Sequence, residues 1–169
     1  MDVILVNYIL IKKMDVANGP GIRVSIFVSG CTHHCKGCFN PETWDFDAGN
    51  LFTEETIKEI LDACEPSYIS GLTLLGGDPF EPQNQEGLLP LLKAFKEKFP
   101  DKTIWAFTGY LFEDIIDTSK EFLSYIDVLI DGPFVESLKD LRLKFKGSSN
   151  QRTIDVKKSL YSQKTILLE

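Results

Sequence analysis

The sequence predicts an α/β fold, an open, partial (β/α) barrel with mainly parallel strands. Three observations carry this. Four apolar, strand-like runs each end in glycine: "RVSIFVSG" at Gly30, "GLTLLGG" at Gly76 and Gly77, "TIWAFTG" at Gly109, and "IDVLIDG" at Gly132. Segments of helical period lie between them, and strands alternating with helices imply parallel βαβ units with right-handed crossovers. The chain of 169 residues suits one domain, spanning 1–169, with a core of its own. Four such strands and one N-terminal strand are too few to close an eight-fold barrel.

The elements follow in order. The apolar run "VILVNYILI" is broken by Asn7 and flanked by Asp2 and Lys12. It is far too short to span a bilayer and lacks the basic start and small-residue cleavage site of a signal peptide. It is expected to be a strand. Thr53 is placed to cap a helix whose first turn carries Glu54 and Glu55, the right sign for a helix N-terminus. Its apolar stripe is Ile57, Ile60, Leu61 and Cys64. A second helix presents Leu88, Leu91, Leu92, Phe95 and Phe99 on one face, with Pro90 expected in its first turn, where the missing N–H costs least. A third helical stretch, Leu111 to Tyr125, is expected to break near Thr118 and Ser119. In parallel α/β folds the loops at the carboxyl ends of the strands build the functional site, so the four glycine-terminated tips are expected to meet there.

Composition bounds the function. Apolar content is 43%, charged content 25% and net charge -7, which fits a soluble globular protein and argues against nucleic acid as a partner. Residues 136–158 depart from this, with seven Lys/Arg against three Asp/Glu, a net of +4. This basic C-terminal segment is read as either a solvated face or a docking surface. No membrane partner is expected. A cytoplasmic, reducing setting is expected, in which clustered cysteines more often bind metal than form disulfides.

The stretch "SGCTHHCKGCFN", Ser29 to Asn40, holds Cys31, Cys35 and Cys38 in a C-x3-C-x2-C spacing, with the only two histidines of the chain, His33 and His34, between the first two cysteines. This cluster loop, 30–40, directly follows the first glycine-terminated run. Three thiolates so close together wrap one metal centre. One reading is structural zinc with a histidine as fourth ligand, although zinc would normally take two ligand pairs from separate segments and no second pair exists here. The other is a [4Fe–4S] cluster, which usually has four cysteine ligands. With three, one iron stays open to a small molecule. Cys64 lies on a helical stripe and reads as a core thiol.

The C-x3-C-x2-C spacing resembles the cluster motif of the radical S-adenosylmethionine (SAM) superfamily. "NGPGIRVSIFVSGCTHHCKGCFN", Asn18 to Asn40, resembles the signature of its glycyl-radical-activating enzymes. "LLGGDPF", "IWAFTGY", "DVLIDGPF" and "KGSSNQR" then follow in the order found in the subgroup acting on anaerobic ribonucleoside-triphosphate reductase. The motifs run from Asn18 to about Asp155, most of the chain. The resemblance implies a shortened barrel of radical SAM type. It implies that Cys31, Cys35 and Cys38 hold three irons of a [4Fe–4S] cluster and that SAM chelates the fourth. The chemistry implied is one-electron cleavage of SAM to methionine and a 5′-deoxyadenosyl radical, which takes hydrogen from a glycine of the reductase large subunit. A flavodoxin- or ferredoxin-type electron donor is implied as well. Two alternatives stand beside this: an activase of another glycyl-radical enzyme, such as pyruvate formate-lyase, and a zinc-binding interaction module. A simple electron-transfer Fe–S protein fits three cysteines poorly.

Further residues take expected roles from the same resemblance. Many members have an aromatic residue just before the last cysteine; this chain has Gly37 there and Phe39 after it, so packing of the nucleoside passes to Phe39 or to backbone at Gly37 and Cys38. "GGDP", Gly76 to Pro79, resembles the Gly-Gly-Glu-Pro stretch that approaches the SAM amino group, with Asp78 in place of the longer glutamate. Glycine lets backbone come close at a strand end. Arg23 is expected to pair with a carboxylate or to sit at a solvated strand end. Thr108, Asp131 and the segment 147–152 are candidates for ligand or partner contact, and Gly-Ser-Ser-Asn reads as a mobile loop. A histidine ligand would block the iron that must take SAM, so His33 and His34 are expected not to bind iron, His33 instead supporting the centre from outside its ligands or lying at the surface.

Overall fold

The computed structural model describes residues 5–168. In chain order the elements are β1 (Asn7–Asp15), β2 (Ile22–Val28), β3 (Asn50–Leu51), α1 (Glu54–Ala63), β4 (Ile69–Gly76), α2 (Pro82–Lys98), β5 (Thr103–Phe107), α3 (Phe112–Ile115), α4 (Lys120–Ser124), β6 (Val128–Asp131), β7 (Arg152–Asp155) and α5 (Val156–Ser162). The strands form one sheet in the order β3-β1-β2-β4-β5-β6-β7. Its centre, β2-β4-β5-β6, is parallel, and the pairings outside it are antiparallel. The expected N-terminal strand is β1; the start of its apolar run, residues 3–4, lies outside the described residues.

The central strands are buried on both faces, as parallel strands are. Alternation then sorts their side chains. Val24, Ile26, Leu72, Leu74, Ile104, Ala106 and Leu129 share one core with Ile60 and Cys64 of the α1 end, Leu88 to Phe95 of α2, Phe112, Phe122 and Val156. All five helices therefore pack on this face. The opposite face carries Arg23, Thr73, Trp105, Val128 and Ile130 and is covered by loops, with Trp105 packed edge-on to Phe145.

The helices follow their local signals, with one correction. Thr53 caps α1 as expected, in a reciprocal box with Thr56: each side-chain hydroxyl accepts the other's backbone N–H. Helix α2 starts at Pro82, eight residues before Pro90, so Pro90 lies inside the helix rather than in its first turn. The early turns contain Gln83, Asn84, Gln85 and Glu86, and their polar character hides the helical period. Pro90 is exposed, so the Glu86 carbonyl it leaves without a donor faces water. The third helical stretch is split into α3 and α4 around Thr118–Ser119, as expected.

Candidate functional site

The tips of β2, β4, β5 and β6 meet around one cavity of about 490 Å³, in the range of small-molecule sites. Cys31, Cys35, Cys38 and Phe39 line one side. Gly76, Gly77, Asp78, Thr108, Gly109 and Gly132 supply the strand tips, and Phe134, Leu141, Leu143 and Phe145 a third, apolar wall.

Glycine is required where β4 meets β2. Gly76 has φ +103°, and a Cβ on it would lie 2.8 Å from the Phe27 backbone. A Cβ on Gly77 would lie 2.5 Å from the Gly30 carbonyl oxygen. The two tips are also tied by hydrogen bonds, Gly77 N–H to the Val28 carbonyl at 2.7 Å and Asp78 N–H to that of Gly30 at 2.8 Å. Buried Asn84 completes the joint: its Nδ2 donates to the carbonyls of Ser29, Gly30 and Asp78.

The cysteine loop hangs from two buried carboxylates. Asp78 Oδ2 accepts from Thr108 Oγ1 and from the Gly109 N–H, both at 2.9 Å, and meets His33 Nε2 at 2.7 Å. Its Oδ1 accepts from the Phe80 N–H at 2.8 Å. Glu81 Oε1 accepts from the Thr32 hydroxyl at 2.8 Å, the Thr32 N–H at 3.3 Å and the Tyr110 hydroxyl at 3.1 Å. The ligand-type atoms of His33, Asp78 and Glu81 lie within 4.8 Å of one another, and each is engaged in these bonds. Asp78 thus lines the cavity as expected, while its carboxylate is occupied by the protein's own donors.

His33 is a structural partner of Asp78. Its hydrogen bond to Asp78 raises its pKa, against the opposing effect of burial, and Tyr110 packs edge-on at 4.4 Å. His34 stacks on Trp44 at 4.5 Å. His33 Nε2 is thus taken by Asp78, and His34 lies flat against an indole.

The thiols are free and half-buried. Burial, then the Asp78 and Glu81 carboxylates, push the Cys31 thiol up to about 11, against the amides of His33 and His34 that bond its sulfur. A metal displaces such a proton on binding. Cys38 Sγ accepts from the Asn40 N–H at 3.4 Å, a bond of the kind that tunes cluster sulfurs. Phe39 is 52% exposed; its ring meets Phe134 at 5.0 Å, and a Cβ on Gly147 would run into it at 2.7 Å. Gly37 is exposed and turned toward Glu136, where an added Cβ would meet the carboxyl at 3.0 Å. Of the three residues expected to pack a nucleoside, Cys38 and Phe39 line the cavity and Gly37 does not.

Over residues 17–154 the chain matches the family described as "4Fe-4S single cluster domain". It is 49% identical over 146 residues to the anaerobic ribonucleoside-triphosphate reductase-activating protein of Enterobacteria phage T4, covering 86% of this chain and 92% of that relative. The protein of that name from Haemophilus influenzae is 46% identical over 86% of this chain and 95% of its own. The Escherichia coli K12 protein of that name is 40% identical over 86% and 96%. The chain belongs to this family of activating proteins.

Among the remaining candidates of this activating-protein chain, Gly147 and Gln151 of the segment 147–152 line the cavity, whereas Arg23 and Asp131 differ from expectation. Arg23 is buried, at 1% exposure, and meets no carboxylate among the described residues. It donates to Thr73 Oγ1 and to the carbonyls of Pro20, Leu72 and Thr103, and stacks over Trp105. Burial lowers its pKa to about 10. Asp131 is buried too and is held by Arg152 and the Phe112 N–H, so it serves the fold. The segment 147–152 is tied rather than loose. Gln151 Oε1 accepts from the N–H groups of Gly147 and Ser148, its Nε2 donates to the Gly132 carbonyl, and Asn150 donates to that of Pro133.

The site suits an iron–sulfur centre by its donors. Three free thiols from one loop line a cavity whose other walls are backbone at glycine, bonded polar groups and aromatic rings. Soft thiolates select such centres. Glu81 and Asn84 were not singled out in the sequence; the only signal was a pair of polar residues set into the start of a helix, directly after "GGDP". No helix among the described residues is long and apolar enough to cross a membrane.

Proposed function

We propose that the chain is a radical SAM enzyme that installs a glycyl radical in the large subunit of anaerobic ribonucleoside-triphosphate reductase. The observation that carries this reading is the meeting of three free thiols, a glycine-only strand tip and an aromatic wall on one cavity. Cys31, Cys35 and Cys38 would hold a [4Fe–4S] cluster. With SAM bound, that centre supplies one-electron cleavage of a sulfonium and so a 5′-deoxyadenosyl radical able to take hydrogen from glycine.

The chain's own residues hold, admit and exclude. Gly76 and Gly77 give an ammonium close access to backbone oxygen, which such a group requires. Phe39, Phe134 and Phe145 offer a nucleoside apolar surface and keep water away. A sheet with all its helices on one face and its site against the other is read as the shortened, partial barrel of the radical SAM type, one domain in all. Exposed Leu141 lines the cavity, and its exposed chain neighbours Leu138, Lys139, Arg142 and Lys144 make a surface fit to receive a polypeptide. The electron donor would be of flavodoxin or ferredoxin type, in the cytoplasm.

Anaerobic reconstitution with iron and sulfide, then reduction with SAM present, tests this. 5′-Deoxyadenosine and methionine are expected from the native chain and not from Cys31→Ala, Cys35→Ala or Cys38→Ala. Tightly bound zinc without SAM cleavage would exclude the radical reading in favour of an interaction module.

A further inference from the structure

Glu81 lies outside the cysteine motif, yet it holds the motif's first turn. It is the residue before α2, the position where a side chain commonly caps its own helix, but its carboxylate makes no such bond. It reaches instead across 49 residues of sequence to both the N–H and the hydroxyl of Thr32. Tyr110, from the tip beyond β5, closes the arrangement from the other side. Glu81 is 4% exposed.

Burying a carboxylate is expensive unless donors compensate it. Three donors supply the compensation here, but a neutral glutamine would offer the same acceptor at lower cost. What glutamate adds is negative charge, beside a loop bearing the three thiols. For an iron–sulfur centre a nearby negative charge disfavours gaining an electron, so it lowers the reduction potential. A sulfonium is hard to reduce, so a low potential serves the chemistry.

We propose that Glu81 is a positioning residue for the cluster: it fixes the arc from Cys31 to Cys35 through Thr32, and its buried negative charge holds the potential of the centre low. This rests on the reading of the cysteine site given above.

Two variants separate anchorage from charge. Glu81→Gln keeps an oxygen acceptor for Thr32 and removes the charge. Thr32→Val keeps the charge and removes the hydroxyl donor. Both are reconstituted anaerobically and compared with the native holoprotein, without SAM, by redox titration followed by electron paramagnetic resonance and by the rate of iron loss to a chelator. Glu81→Gln is expected to raise the midpoint potential by about 59 mV or more, a tenfold change for a one-electron couple, with iron content near native. Thr32→Val is expected to leave the potential in place and to release iron several-fold faster. If Glu81→Gln gives no folded holoprotein, Tyr110→Phe, which takes one compensating donor from the carboxylate, must lower the potential. An unchanged potential in Glu81→Gln, or in Tyr110→Phe when that variant stands in, overturns the electrostatic role. Native iron release in Thr32→Val overturns the anchoring role. A native chain that takes up no [4Fe–4S] cluster would instead overturn the reading of the whole site.

Discussion

Four cysteines share this chain, and their surroundings divide them. Cys31, Cys35 and Cys38 border one cavity, whereas Cys64 is fully buried at the end of α1 in the main core. Burial pushes the Cys64 thiol up to about 12, which keeps it protonated and inert. Cys64→Ser buries a hydroxyl in its place and is expected to cost about 1–3 kcal/mol of stability by denaturant unfolding, with cluster iron unchanged. Loss of iron from that variant would make Cys64 a ligand. The division was legible in the sequence, because Cys64 falls on a helical stripe and the other three on a glycine-flanked loop. The roles of His33, Asp131 and Arg23 were not. Each is decided by a partner distant in sequence: Asp78 for His33, Arg152 for Asp131, and the carbonyls of Leu72 and Thr103 for Arg23. No local pattern encodes which side chain a fold will bring to such a group.

The parallel centre of the sheet was readable because each of its strands ends where a tip must turn, in glycine. Strands β3 and β7 were not foreseen; they exist through pairing with β1 and β6 rather than through any pattern of their own. Helix α1 was readable from its cap and its stripe. Removing the cap in Thr53→Ala leaves the Thr56 N–H without its acceptor and is expected to cost about 1 kcal/mol, measured as a lower denaturant midpoint at unchanged slope. Helix α2 was misread at its start because its early turns bury a polar side chain, Asn84, where an apolar one would have marked the face. That exception belongs to the site, since Asn84 locks the tips of β2 and β4 together.

Charge across the whole molecule sets its response to pH. Asp15 is buried, which alone would raise its pKa, but hydrogen bonds from Asn18 and Ala17 among others bring it below its ordinary value of 3.8. Arg152 and Thr165 hold Glu113 below 4.5 against a weaker burial effect. Stability from these two groups is complete above those values and lost as pH falls through the depressed ones. His33 works in the other direction: its raised pKa contributes below 6.5 and is lost as pH rises through the folded value. Unfolding of the iron-free chain is therefore expected to show greatest stability between about pH 5 and 6. A decline below about pH 4 and another as pH rises above 6.5 should flank that maximum. A flat profile from pH 3 to 8 would contradict these linkages.

On the proposed reading, the three cysteines, the glycine tip and the aromatic wall form one site that makes a radical for transfer to a partner. The most direct measurement is electron paramagnetic resonance of the reconstituted, reduced chain mixed with SAM and anaerobic ribonucleoside-triphosphate reductase. A glycyl radical on the reductase is expected, absent when Cys31, Cys35 or Cys38 is replaced by alanine. A radical that forms on pyruvate formate-lyase and not on the reductase, or none on either while the cluster is intact, would contradict it.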